Sequence, residues 1–396
     1  MEQQSSSVRK TNKYKLMPTP DQERALEVVL WCCRDLYNTA FEERKTAWER
    51  CHVSISYYQQ KAELPDLKAD FPDYAQVNAQ VLQDVILLVE RTFQAFFRRV
   101  QAGEKPGYPR FQGWGRYSNF TYPQYGWGAV LDGGVLSLSK IGRIRIRLHR
   151  PVQGTPKTVT ISREADGWYA CISGAKVPIQ PLPPTGQETG IDLGLKVVLT
   201  TADAEVVENP RHYRKAERAL RKAQRRVARR KKGGNRRSKA VALLRRKHQQ
   251  IARQRRDFHH KAALALRRQY EVIYLEDLRV ASMVRTPHLA KCISDAGWAA
   301  FRTMLEGKAV YAGRRVIAVP PAFTTQDCSG VLPDGSPCPE RVQKSLSVRT
   351  HACPRCGLVV DRDQNAALNI LRSGRRERGA GQAPQASTWA DTPSVA

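Results

Sequence analysis

The segment HACPRCGLVVDRDQNAALNI, residues 351–370, joins a Cys-x-x-Cys knuckle to an apolar run, two aspartates and the start of a helix. Cys353 and Cys356, with the turn closed by Gly357, have the spacing that brings two thiolates onto one zinc ion. Asp363 stands where this segment turns into helix. Two further carboxylates occupy comparable places. Asp192 interrupts the apolar run TGIDLGLKVVLTT between Gly190 and Gly194, and Glu276 terminates the apolar run of EVIYLEDL. Burying a lone carboxylate is costly unless it is paired, hydrogen-bonded or bound to metal. Three acids at the edges of three hydrophobic segments make sense together if they converge on cations, and hard oxygen ligands suit Mg²⁺ or Mn²⁺. Two such ions held by shared carboxylates activate water and stabilise the leaving oxygen of a phosphodiester. Taken singly, Asp363 also fits the N-cap of a helix starting near Gln364, Glu276 and Asp277 fit exposed strand-end charges, and Asp192 fits a turn.

The elements around these acids follow from apolar periodicity. KYKLMP (13–18) reads as a short strand after a loose polar start, residues 1–10. Leu26, Leu30, Cys33 and Tyr37 repeat at helical spacing from Asp21, and Leu82, Val85, Val89, Phe93 and Phe96 do so between Asn78 and Val100. The period then changes to two. RIRIRLHR (143–150) sets Ile144, Ile146 and Leu148 on one side of a strand and Arg143, Arg145 and Arg147 on the other, while KTVTISREADGWYACISG reads as a hairpin turning near Asp166-Gly167. A linker, PIQPLPPTGQ (178–187), precedes TGIDLGLKVVLTT, taken as one interrupted strand. Residues 211–270 hold 24 Lys and Arg against Glu217 and Asp257 alone, and KKGGN breaks them into a helical hairpin whose second arm packs along Leu244, Ile251 and Phe258. SDAGWAAFRTMLEGKAVYAG (294–313) reads as one helix capped by Ser294 or Asp295, RRVIAVPP as a strand, and residues 373–396 as a disordered tail.

The composition names the partner. A formal charge of +29 on 396 residues with 41% hydrophobic content describes folded domains that bind a polyanion. Nucleic acid fits better than a membrane surface, since no long apolar run, signal peptide or lipidation motif is present. The arginine comb Arg143, Arg145, Arg147 and the hairpin, with Arg225, Arg226, Arg229 and Arg230, are the expected phosphate contacts. Nine cysteines, four of them clustered near the C-terminal end, indicate a reducing, cytoplasmic location rather than a disulfide framework.

GIDLG, YLEDL and DRDQNAALNIL resemble the three split motifs of the RuvC-type nuclease in the transposon-encoded TnpB proteins and their relatives, the miniature type V CRISPR effectors; ISDAGW (293–298), MPTPDQ and GYPRF match as well. The resemblance covers roughly residues 13–372. It implies a multidomain α/β fold. An RNase H-like nuclease domain would carry Asp192, Glu276 and Asp363 as Mg²⁺ ligands, with Asp361 as a neighbour of the site. A zinc-ribbon insert would interrupt that domain, and an N-terminal β-barrel wedge would hold an inserted helical recognition domain. The corresponding ranges are 1–19 and 106–180 for the wedge, 20–105 for the recognition block, and 181–318 for nuclease parts I and II including the hairpin 209–268. The zinc insert takes 319–357, part III 358–372, and the tail 373–396.

The family pairs its knuckle with an earlier Cys-x-x-Cys. Here the earlier cysteines are Cys328 and Cys338, separated by an inserted SGVLPDGSP, so that four thiols bracket a hairpin expected around Val342 to Thr350 and form a structural Zn²⁺ site. The resemblance also implies that Arg349 assists at the scissile phosphate and that Tyr57, Gln83, Asn119 and Thr121 touch a short flanking motif in the DNA duplex. It implies a prokaryotic, nucleoid-associated, RNA-guided DNA endonuclease, with guide RNA and target double-stranded DNA as partners and with one or two copies per guide left open. A nuclease-inactive guided repressor, which would have lost a carboxylate, and a carboxylate-triad transposase are the competing classes.

Overall fold

The computed structural model describes residues 7–113, 115–345 and 347–379, in two compact units that divide after Pro178. The first unit comprises β1 (Ser7–Met17), α1 (Pro20–Cys51), α2 (Tyr57–Ala62), α3 (Leu64–Asp70), α4 (Pro72–Ala75) and α5 (Ala79–Gln101). It continues with β2 (Asn119–Tyr122), β3 (Ala129–Asp132), β4 (Val135–Leu138), β5 (Gly142–Arg147), β6 (Thr155–Glu164) and β7 (Gly167–Pro178). Its strands form a barrel-shaped antiparallel sheet in the order β2-β6-β7-β1-β5-β4-β3. The helices and the sheet share one hydrophobic core, in which Leu26, Phe41, Leu82 and Val85 pack with Phe120, Ile144 and Trp168.

MPTPDQ acts as a helix start. The Thr19 hydroxyl accepts from the Gln22 amide, the Gln22 side chain accepts from the Thr19 amide, and Pro20 takes the first turn. The Gln22 amide group also donates to the Arg143 carbonyl at 2.8 Å, tying α1 to the arginine comb. β1 begins earlier than the sequence reading has it. Residues 7–10 pair with β7, because Val8 and Lys10 find open backbone partners opposite Val177 and Gly174; residues 1–6 lie outside the described residues. β5 stops at Arg147, so Leu148 is exposed and does not join Ile144 and Ile146 in the core.

The second unit comprises β8 (Glu188–Leu193), β9 (Val197–Thr201), β10 (Val206–Glu208), α6 (His212–Ala228), α7 (Asn235–Gln269), β11 (Val272–Glu276), α8 (Val280–Met283), α9 (Pro287–Ala296) and α10 (Trp298–Tyr311). β12 (Arg315–Val319), β13 (Thr350–Ala352), β14 (Val359–Asp361) and α11 (Arg362–Gly379) complete it. Its main sheet runs β10-β9-β8-β11-β12, with β8, β11 and β12 parallel. One face, with Ile191, Ile273 and Leu275, packs on α7 and α10; the other, with Val272 and Tyr274, packs on Ile370 and Leu371 of α11.

Three sequence expectations change here. TGIDLGLKVVLTT is a hairpin, β8 and β9, reversing at Gly194; a run apolar on both sides of the glycine hides such a reversal because it lacks alternation. Residues 294–313 are two helices, because Gly297 adopts a left-handed conformation (φ 68°) between α9 and α10. An added Cβ there would fall 2.9 Å from the His259 ring of α7, so only glycine lets the two approach. Asp295 is therefore not the cap of that helix; its carboxylate accepts from the Tyr213 and Arg214 amides and caps α6 instead. Finally, α11 runs on to Gly379, past Ser373, where the tail was expected to start. Gly374 lies flat on the Tyr274 ring, and Arg375 and Arg378 pair with Glu188, so tertiary contacts extend the helix where periodicity fails. The remainder of that tail, 380–396, lies outside the described residues.

Candidate active site

The sheet's alternation aims two acids at one helix. On β11, Tyr274 faces α11, so Glu276, two residues on, faces the same way. On β8, Ile191 and Leu193 face the opposite core, leaving Glu188, Gly190 and Asp192 toward α11. The parallel register sets Ile191 beside Leu275, and hence Asp192 beside Glu276. α11 runs antiparallel along β8. Arg375 bonds Glu188 at 2.9 Å, and Gly190 lies beneath Ala367 and Leu371. Two strand residues advance about 6.6 Å and one helical turn of four residues about 6 Å, so the next step along β8 meets the turn holding Asp363. Gly190 makes this possible: a Cβ would overlap the Ala367 carbonyl oxygen and lie 2.6 Å from the Leu371 nitrogen.

Asp192, Glu276 and Asp363 are 8%, 7% and 9% exposed. Burial, followed by the charges of Glu276 and Asp363, pushes the Asp192 carboxyl up to about 8. Burial also raises Glu276, against the opposing hydrogen bond from Thr324, whose hydroxyl donates to Oε1 at 2.6 Å. Asp363 is flanked by cations: Arg349 Nη1 lies 3.4 Å from both of its oxygens, and Arg362 Nε lies 3.2 Å from Oδ1. Asp361, not Asp363, caps α11. Its Oδ1 accepts from the Asp363 amide at 2.8 Å and the Gln364 amide at 3.4 Å, which leaves the Asp363 carboxylate to the cluster. Asp277 is exposed and paired with Arg302, outside the group. The charges of Glu276 and Asp363 both act on buried Asp192, and carboxylate oxygens are donors that suit a hard divalent cation, which would relieve that repulsion.

The four cysteines Cys328, Cys338, Cys353 and Cys356 come together with all Sγ atoms within 4.8 Å of one another. The Cys328–Cys356 and Cys338–Cys353 separations of 3.5 and 3.7 Å are close to the edge of about 3.8 Å that a tetrahedral zinc–thiolate site has. This cluster indicates structural zinc. The inserted SGVLPDGSP forms its own tight turn, with Leu332 and Ser336 paired and Gly335 at φ 80°, and so returns Cys338 to the site. The second pair of thiols lies in the β13–β14 hairpin. Among the described residues, Val342 to Arg349 form no strand; the hairpin expected there is formed instead by β13 and β14, which flank the knuckle.

α11 ties the cysteine cluster to the acids. Asn365 donates to the Asp327 carbonyl and accepts from the Ser329 amide, Asn369 donates to the Thr324 and Asp327 carbonyls, and Arg372 grips the carbonyls of Cys328, Ser329 and Gly330. The polar spacing 365, 369, 372 on a helix whose other face is apolar could have revealed this clamp. Nothing in the sequence distinguishes Thr324.

Elsewhere, Arg143, Arg145 and Arg147 stand exposed on β5, opposite buried Ile144 and Ile146. Arg225, Arg226 and Arg229 are exposed on the α6–α7 hairpin, and Arg230 is half-buried beside the turn that Arg237 closes by bonding the Val227 and Arg230 carbonyls. Asn119 and Thr121 share one face of the edge strand β2, against which α5, carrying Gln83, packs; Tyr57 is half-buried at the start of α2.

Family comparisons agree with this architecture. Residues 161–286 match a family described as "Probable transposase" (OrfB of IS605), residues 298–370 a "Cas12f1-like, TNB domain", and residues 6–52 a "Helix-turn-helix domain". In this chain the described part of the last match is a strand and one continuous helix. A Streptomyces pristinaespiralis protein named "Putative RNA-guided DNA endonuclease" is 32% identical over 93% of this chain and 90% of its own length. InsQ of Escherichia coli K12, of the same description, is 29% identical over 94% of each. The fold is that of a Cas12f1 chain solved in a complex with sgRNA and target DNA, with a TM-score of 0.56 at 13% identity over 92% of this chain and 99% of the other. The protein is thus a RuvC-type, Cas12f-like multidomain chain with a zinc-finger module. It belongs to the TnpB/IS605 OrfB family of RNA-guided endonucleases.

Proposed function

We propose that this chain cuts DNA by hydrolysis at sites chosen by a guide RNA, beside a short flanking motif, with Asp192, Glu276 and Asp363 holding Mg²⁺ or Mn²⁺. The observation that carries the reading is the convergence of three buried carboxylates from β8, β11 and α11 in a chain of formal charge +29. When bound, paired divalent ions would supply an activated water and a stabilised leaving oxygen. The chain's own residues prepare for this. Asp192 holds a proton near neutral pH and would release it to solvent as a cation took its place, Asp361 and the α11 amides fix the entry angle of Asp363, and Arg349 offers a guanidinium beside Asp363 for the scissile phosphate.

Guide RNA would lie on the α6–α7 hairpin and the β5 arginines, leaving sequence reading to base pairing, with Tyr57, Gln83, Asn119 and Thr121 at the flanking motif. Residues 1–19 and 106–180 serve as the wedge, 20–105 as the recognition block, 181–318 and 358–372 as the nuclease and 319–357 as the zinc insert, in a reducing prokaryotic cytoplasm. Among the described residues no helix is long and apolar enough to cross a membrane.

The test is cleavage of a duplex matched to the co-purified RNA. Wild-type protein should cut the matched duplex only, and Asp363→Ala should bind guide and target with nearly unchanged affinity and cut neither strand. A cutting Asp363→Ala variant, or cleavage indifferent to guide sequence, would sink the assignment.

A further inference from the structure

We infer that Thr324 is a positioning residue for Glu276, and that through it the zinc module presets the affinity of the carboxylate cluster for a divalent cation. The inference rests on the metal-dependent reading above.

Thr324 is buried beside the acid, and its hydroxyl donates to Glu276 Oε1 at 2.6 Å; among the described residues no other side-chain hydrogen bond reaches that carboxylate. A glutamate has three rotatable bonds, so one fixed oxygen decides where the other can sit. The backbone around Thr324 is built to hold the aim. Phe323 adopts a left-handed conformation (φ 63°), which a bulky side chain rarely takes, and the strain is held by surrounding contacts. Its carbonyl accepts from the Gln326 and Asp327 amides, and the Arg341 guanidinium stacks 3.8 Å from its ring centroid. Arg341 in turn pairs with Asp327, one residue before zinc-ligating Cys328. On the other side the Thr324 carbonyl accepts from Asn369 of α11 at 2.9 Å. One residue therefore connects the acid on β11, the helix that carries Asp363, and the segment that leads into Cys328 of the zinc module.

The check is Mn²⁺ affinity of the guide-loaded protein, read as free Mn²⁺ by electron paramagnetic resonance, with zinc content measured in each variant. Thr324→Val keeps the shape and removes the donor; it should retain zinc and bind Mn²⁺ roughly tenfold more weakly, the scale of a lost hydrogen bond to a charged group. Thr324→Ser should restore wild-type affinity. Asn369→Ala should weaken Mn²⁺ less, and the double variant should bind no more weakly than Thr324→Val, because both act through one contact. Asn369→Ala alone carries the test if Thr324→Val fails to fold. Wild-type Mn²⁺ affinity in Thr324→Val, or in Asn369→Ala, or failure of serine to rescue, would overturn the inference while leaving the nuclease reading intact. A wild-type protein that cuts DNA yet binds no Mn²⁺ would overturn the metal-dependent reading itself.

Discussion

Asp192→Asn should stabilise the magnesium-free protein, and the gain should grow with pH. The Asp192 carboxyl stands at about 8 in the folded chain against an ordinary 3.8, so between these values the folded state holds a proton that the unfolded state has released. Stability from this group is therefore fully present below pH 4 and is lost as pH rises through 8. With those two values the penalty is about 2 kcal/mol at pH 5 and about 4 kcal/mol at pH 7, on the order of the group's whole titration shift. Asparagine carries no such proton, so the stability gap between variant and wild type should widen by about 2–3 kcal/mol across that interval, or roughly 5–10 °C in the melting of the second unit. The assay is thermal unfolding of both proteins in magnesium-free buffer with zinc kept in place, repeated with added Mg²⁺ at pH 8. The cation should raise wild-type stability and leave the variant largely unaffected. A gap that is the same at pH 5 and pH 7 would refute the convergence of the three acids, since a solvated aspartate would not hold its proton there.

Gly190→Ala should cost about 3 kcal/mol or more and abolish cutting, because its Cβ would push α11 off β8 and carry Asp363 away from Asp192. Gly307→Ala, in α10 where an added Cβ meets nothing within 4 Å, is the control and should be neutral or stabilising by up to about 1 kcal/mol in the same melts. Zinc should bind with release of protons and progressively more weakly as pH falls, since burial raises the Cys328 thiol to about 12 and also raises Cys338. Burial raises the Cys353 thiol, but the Cys356 and Arg355 amides and the neighbouring thiols bring it to about 7, and zinc needs the thiolate. Competition with a chromophoric chelator at pH 6 and 8 checks this, and Cys353→Ser should lose the pH dependence together with the zinc.

The sequence by itself determined the candidate residues. Asp192, Glu276 and Asp363 stand out because a carboxylate ending or interrupting an apolar run needs a compensating partner, and the cysteine knuckle stands out because its spacing is set by the reach of two thiolates. The alternation in RIRIR and the one-signed charge of residues 211–270 are equally local signals, and they identify a nucleic-acid-binding chain before any fold is known. Tertiary structure decided what local signals cannot carry. The reversal at Gly194 lies in a run that is apolar on both sides of it, and Gly297 splits a helix whose periodicity continues across it. Asp295 caps a helix some eighty residues away, and α11 outlasts its own pattern because Glu188 and Tyr274 hold its end. The place of Thr324 is of the same kind. A threonine in a polar stretch has no periodic mark, and only the packing of β11, the zinc module and α11 around one side chain sets it on Glu276.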